Sequence, residues 1–248
     1  MIELMIALAI TSIVIVAATA VFLNLQQTST EIDHRTNLSA NARGAMFFIE
    51  DHIKLLGFNP AKDKSKSEII RIAGGGELEF LQDNPVMGQP DVTIHIGLNP
   101  VGDPGATGVV SVGGATSLVI NGGNVADDIV AIGFAYGFDD DENGDVDTDP
   151  ATNQIIWAID SNGDGTLDTS LDTNFDGVVD AADAPQAIPA VDISKIRAVK
   201  AWLLVRTKYP IRGATDNTTY YVGANAYTPN NNFGHMLHTT GTRCRNLF

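Results

Sequence analysis

The chain has 248 residues, 44% of them hydrophobic, and a formal net charge of -15. That is enough for one long helix and one folded domain with its own core, and it argues against global disorder. The charge argues against nucleic acid as a partner, because binding a polyphosphate draws on Lys and Arg to displace counterions. The single cysteine, Cys244, excludes an intramolecular disulfide.

Residues 4–23 read LMIALAITSIVIVAATAVFL, with Thr11, Ser12 and Thr19 as the only polar interruptions. Each of those hydroxyls can bond back to a helical carbonyl, and such a run is long enough for a bilayer core of roughly 30 Å. No Gly or Pro precedes Gly44, so the helical reading continues. Leu25, Ile32, Leu38, Ala42, Ala45, Phe48, Ile49 and Ile53 recur at three- and four-residue spacing, the stripe of an amphipathic helix. Gly57 with Asn59-Pro60 supplies the stop. The expectation is one helix of more than 50 residues over 1–57: residues 1–25 in a membrane core or among other apolar helices, 26–57 packed on a C-terminal sheet. Glu3, at the start of the apolar run, is costly in hydrocarbon without a partner and is the candidate functional residue of this segment. The segment lacks the basic n-region of a cleaved signal peptide, and a plain anchor would carry flanking basic residues.

Met1-Ile2-Glu3-Leu4-Met5-Ile6-Ala7-Leu8-Ala9-Ile10 resembles the mature N-terminus of type IV pilins and pseudopilins. The resemblance covers about 57 residues. In that family a prepilin peptidase cuts after a glycine, the new N-terminus is methylated, and a glutamate at the fifth mature position acts in assembly against a neighbouring subunit. Glu3 matches that glutamate, and by this alignment two mature residues would precede Met1. The resemblance implies a structural subunit of a type IV pilus-like extracellular filament. Its partners would be other copies or related pilins, the inner membrane before assembly, and the pilus assembly machinery. Two departures stand out. Ser12 and Ala20 occupy places where many major pilins carry Gly and Pro, so a continuous helix is expected between residues 12 and 22. The C-terminal cysteine pair of many major pilins is absent.

Beyond Pro60 the pattern changes to short alternating runs between Gly, Pro and Asn clusters. Strands are expected at residues 68–72, 77–81, 91–96, 108–112, 117–121, 128–138, 154–159 and 196–208, with turns at Gly74-Gly75-Gly76, Asn84-Pro85 and Asn99-Pro100. In the last strand Val199, Ala201, Leu203 and Val205 face one way and Lys200, Trp202, Leu204 and Arg206 the other, so both faces should be covered. The fold class expected is α+β: a long N-terminal helix packed on an antiparallel sheet domain over 58–248, with an acidic insertion at 139–190. Residues 198–207, His238-Thr239-Thr240 and Arg243-Cys244-Arg245-Asn246 resemble segments of PilW-type pilins, which favours a minor or priming role as the alternative.

No Lys or Arg lies between Arg71 and Lys195, and residues 139–183 hold 14 of the 30 acidic residues. Such a segment is either solvated and extended or binds metal, since like charges at close range repel. Three stretches have oxygen-ligand spacing with glycine at the sixth position, resembling the calcium loops of dockerins and EF-hands. The first offers Asp139, Asp141, Asn143, Asp145 and Asp147; the second, Asp160, Asn162, Asp164, Thr166 and Asp168. The third runs through Asp172, Asn174, Asp176, Val178 and Asp180 to Asp183 at the twelfth position. One to three Ca2+ are expected, with Mg2+ disfavoured because it keeps its waters. These ions would order the insertion in place of a disulfide.

A calcium-dependent adhesin displayed on the filament is the other reading of these loops. His235, His238 and Cys244 fall on different faces of an expected strand and do not form a metal set. Two glycosylation sequons, at Asn37 and Asn217, are short enough to occur by chance. No nucleophile elbow, phosphate loop or zinc-peptidase motif is present, so an enzyme is not expected. The helix carries no aromatic run that could conduct by stacking.

Overall fold

The computed structural model describes residues 2–59, 66–84, 90–99, 109–110 and 116–247. Helix α1 spans Ile2–Leu55, 54 residues without a break. Thr11, Ser12 and Thr19 donate to the carbonyls of Ala7, Ala9 and Ile15 at 2.7–2.8 Å, so the apolar run leaves none of its hydroxyls exposed to hydrocarbon unpaired. The helix is continuous through residues 12–22.

Residues 2–30 of α1 are exposed on every side. At the helical rise this free arm is about 40 Å long. Beyond it Leu38, Ala42, Ala45, Met46, Ile49 and Ile53 are buried against the sheet. The expected stripe is corrected at three places: Leu25, Ile32 and Phe48 are exposed, and Met46 is buried instead. Leu25 and Ile32 lie where the helix has not yet reached the sheet, and Phe48 falls on the side of the helix away from it.

The short helix α2 (Lys66–Ile69) leads into strand β1 (Ile70–Ala73), so the expected strand at 68–72 opens with a helical turn. Then come β2 (Leu78–Gln82), β3 (Val92–Asn99), β4 (Val109–Val110), β5 (Thr116–Ile120) and β6 (Gly123–Phe138). The turn residues Pro85 and Pro100 and most of the expected strand at 108–112 lie outside the described residues. After β6 come β7 (Ala158–Ile159), β8 (Thr166–Ser170), β9 (Gln186–Asp192), a 3-10 turn (Ile193–Lys195) and β10 (Ile196–Arg206). Strands β11 (Tyr220–Val222), β12 (Asn225–Tyr227) and β13 (His235–Arg243) complete the chain.

The main sheet is antiparallel in order β1-β2-β3-β5-β6-β7-β8-β9, with β10 between β6 and β13. The 16-residue β6 organises it, pairing with β10 along one edge and with β5, β4 and β7 in succession along the other. The β5–β6 hairpin turns on Asn121-Gly122, both at positive φ, the preferred two-residue hairpin turn. Strand β10 is covered on both faces. Val199, Ala201, Leu203 and Val205 join the core under α1. Ala198, Trp202 and Leu204 face a second apolar cluster with Val146, Trp157, Leu171 and Val179. Those four residues come from 139–183, so loops of this acidic stretch pack on the sheet face opposite α1, while its strands β7 and β8 extend the sheet and Ala158 and Leu167 join the core under α1.

The C-terminus closes on the helix end. Asn246 Nδ2 donates to the Lys54 carbonyl at 3.0 Å, satisfying one of the acceptors left free where α1 stops. Gly57, at φ 83°, lets the chain leave the helix, and a Cβ there would lie 2.6 Å from Leu247 Cδ2.

Candidate metal centre and exposed helix

The three acidic stretches fold into loops of one design. In each, the first aspartate is buried: Asp139, Asp160 and Asp172 are 2%, 4% and 0% exposed. Each accepts the N–H of the glycine five residues on, at 3.2 Å from Gly144, 2.9 Å from Gly165 and 2.8 Å from Gly177. Those glycines have φ of 93°, 85° and 86°, the left-handed conformation that bends the loop around its first carboxylate. The third and fifth positions cap the backbone two residues ahead. Asp141 and Asn143 accept from Asn143 and Asp145, Asn162 and Asp164 from Asp164 and Thr166, Asn174 and Asp176 from Asp176 and Val178.

The loops differ in how they close. Asp147 accepts the Asp140 N–H at 2.9 Å, and Asp168 accepts the Ser161 N–H at 3.1 Å, so the ninth position closes the first two loops. In the third loop Asp183, at the twelfth position, does this: its Oδ1 accepts from Thr173 at 2.8 Å and its Oδ2 from Asp180 at 2.9 Å. Asp180 itself caps Ala182.

Among the described residues only Asp139, Asp141 and Asp147 bring three acidic ligand atoms within 4.8 Å of one another, an arrangement that could hold a metal ion. Burial pushes the Asp147 carboxyl above the usual range, and the charges of Asp141, Asp139 and Asp140 add to the rise against the Asp140 hydrogen bond. Burial likewise raises Asp172, and Asp183 and Asp176 reinforce it against the Gly177 hydrogen bond. Asp164 is held below the usual range by hydrogen bonds from Thr166 and Asn162. A divalent cation would relieve the first two carboxyls, which makes the donor set chemically suited to a hard ion. The buried Asp172 Oδ1 has no hydrogen-bond partner among the described residues, which also fits an oxygen-seeking cation.

Three cations from the β10 region also reach this folded segment, which the sequence pattern did not connect with it. Lys195 Nζ lies 2.8 Å from Asp140 Oδ1 and from its carbonyl. Arg197 Nε lies 3.7 Å from Asp139 Oδ2, both side chains buried. Lys200 Nζ donates to the Gly177 carbonyl at 2.7 Å and sits 5.3 Å from the ring centres of both Trp157 and Trp202. Burial lowers the Lys200 pKa, opposed by Asp172, Asp176 and Asp183. Lys195, Arg197 and Lys200 lie outside the expected insertion, and only the β6–β10 pairing brings them beneath it. The one signal available was the placement of Lys200 beside Trp202 on the outer face of β10.

Glu3 lies in the first turn of α1, in its exposed arm. The three loops lie on the sheet domain, so the molecule has two separate candidate sites. The apolar arm is long and apolar enough to cross a membrane, and none of its most apolar window is buried within the chain. His235 and His238 sit on β13, where His235 Nδ1 meets Asp216 Oδ2 at 3.0 Å and Tyr220 OH meets the same oxygen at 2.9 Å.

No protein-family model and no curated protein matches this chain. Among solved structures, a type IV-like pilin from Thermus thermophilus is similar over 85% of this chain and 97% of its own, at 10% sequence identity and a TM-score of 0.40.

Proposed function

We propose that the protein is a structural subunit of a type IV pilus-like filament, held in the inner membrane by the arm of α1 before assembly and extracellular afterwards. The observation that carries this is that arm: residues 2–30 project from the sheet, exposed on every side, and residues 4–23 are apolar all round but for three hydroxyls. An all-round apolar helix is stable only when lipid or other apolar helices surround it. In a filament, copies or related pilins supply that surface, and Glu3 finds its partner on a neighbour rather than in hydrocarbon. The N-terminal residues that resemble pilins support the same reading. The segments resembling PilW-type pilins favour, as a second reading, a minor or priming subunit.

Glu3→Ala tests this. Fibre formation is expected to be lost while membrane insertion persists, measured by electron microscopy of sheared extracellular material and by membrane fractionation. Fibres at wild-type yield would overturn the assembly role of Glu3.

The acidic insertion is read as calcium-binding. Asp139, Asp141 and Asp147, with Asn143 and Asp145, would hold one ion; the second and third loops repeat the same backbone design. Calcium would draw the carboxylates together and fix loops that otherwise repel themselves. At a free calcium of 100 times Kd the folded state would gain about 2.7 kcal/mol. Thermal denaturation with calcium and with chelator checks this: equal Tm in both removes the calcium reading and leaves the filament reading intact.

A further inference from the structure

We infer that the three loops are not equivalent, and that the third, Asp172 to Asp183, is the principal calcium site. This rests on the calcium reading of the insertion.

Two observations separate it from its neighbours. Asp172 is fully buried, its Oδ2 takes the Gly177 N–H at 2.8 Å, and its Oδ1 has no hydrogen-bond partner among the described residues. A buried carboxylate oxygen without a partner costs free energy that a coordinated cation recovers. The first loop differs: its buried Asp139 already faces Arg197 at 3.7 Å, and Lys195 bonds to Asp140 at 2.8 Å, so part of its negative charge is compensated by the protein.

The third loop also has the full ligand spacing. Asp183 stands at the twelfth position, where calcium loops place a bidentate carboxylate, whereas Leu171 and Pro150 stand there in the second and first. Asp183 already bridges the two ends of its loop, from Thr173 to Asp180, so the loop is closed around its first residue before an ion arrives. Lys200 approaches this loop through the Gly177 carbonyl and two tryptophan faces, and bears on Asp172, Asp176 and Asp183 through charge rather than a hydrogen bond.

The same geometry gives Asp172 an effect on stability that changes sign with calcium. Without the ion, its desolvated Oδ1 has no hydrogen-bond partner among the described residues. With the ion, it is a ligand. Asparagine is isosteric and keeps an oxygen for the Gly177 N–H.

The test is calcium titration of the full chain in detergent micelles by calorimetry, paired with thermal denaturation. Asp172→Asn is expected to weaken the tightest calcium phase by at least about 100-fold, more than loss of an outer-shell contact costs. It should raise or preserve Tm in chelator while lowering Tm in calcium. Asp183→Asn, at a less buried position, should weaken the same phase. Asp141→Asn and Asp164→Asn, in the first and second loops, should leave it unchanged. Loss of the tightest phase in Asp141→Asn or Asp164→Asn, or its survival in Asp172→Asn, overturns the assignment while calcium binding stands. A fall in Tm of Asp172→Asn in chelator overturns it too, because Asp172 would then be a structural acceptor. Absence of any calcium heat in the wild-type chain overturns both this and the calcium reading.

Discussion

At the scale of single residues, three positions have consequences set by their surroundings. Gly57 combines positive φ with contact against the C-terminal segment, so Gly57→Ala meets both backbone strain and Leu247. A loss of about 1–3 kcal/mol is expected in denaturant unfolding, with the far-UV spectrum unchanged. The His235 side chain is enclosed, and burial lowers its pKa from 6.5 against the opposing hydrogen bond and charge of Asp216. The unfolded chain therefore binds a proton that the native chain resists. The contribution of His235 is present above about pH 6.5 and is lost as pH falls toward its lowered native value. Unfolding measured between pH 7.5 and 5 should show stability declining below 6.5, and His235→Gln should reduce that slope. Cys244 is also buried, and burial raises its thiol to about 12, consistent with a packing role beneath the helix end. None of these environments is visible in the local sequence: Gly57 reads as a helix stop, but its contact with Leu247 joins residues from opposite ends of the chain.

At the scale of elements, the helix was the most legible part. Its length, its end near Gly57 and its continuity through 12–22 follow from composition alone, because helical hydrogen bonds are local and nothing in residues 2–43 breaks them. Ala20→Pro would remove one such bond and clash with the preceding turn, at a local cost of about 3 kcal/mol. Amide exchange in micelles should accelerate around residues 16–20 in that variant; unchanged protection would show that the helix is already interrupted there. The strands were less legible. Residues 196–208 read as a two-faced strand, and Ile196–Arg206 fold as one, because the alternation survives burial on both sides. Strand β13, HMLHTTGTR, has no apolar alternation to announce it; its nine residues are extended because they complete the ladder with β10. Strands β8 and β9 hide inside the acidic run for the same reason.

At the scale of the whole molecule, the acidic insertion adds strands β7, β8 and β9 to the sheet and packs Val146, Trp157, Leu171 and Val179 on the face opposite α1. On the calcium reading of the insertion, chelation should therefore be felt in the core and not only at the surface. Trp157 and Trp202, 7% and 3% exposed, lie on the insertion's side. Chelation is expected to shift their emission to longer wavelength with the helix content unchanged; an unaltered spectrum would mean that the loops hold their place on the sheet without an ion. The sequence by itself determined the uninterrupted apolar helix, the position of Glu3 in it, and the loop spacing of residues 139–183, because each depends on neighbours within a few residues along the chain. Only the tertiary structure decided where the free arm ends, which cations lie beneath the acidic loops, and which loop keeps a buried carboxylate oxygen without a partner. These depend on strands far apart in the chain pairing side by side, and the β6–β10 ladder brings Lys195, Arg197 and Lys200 to carboxylates that no local pattern connects with them.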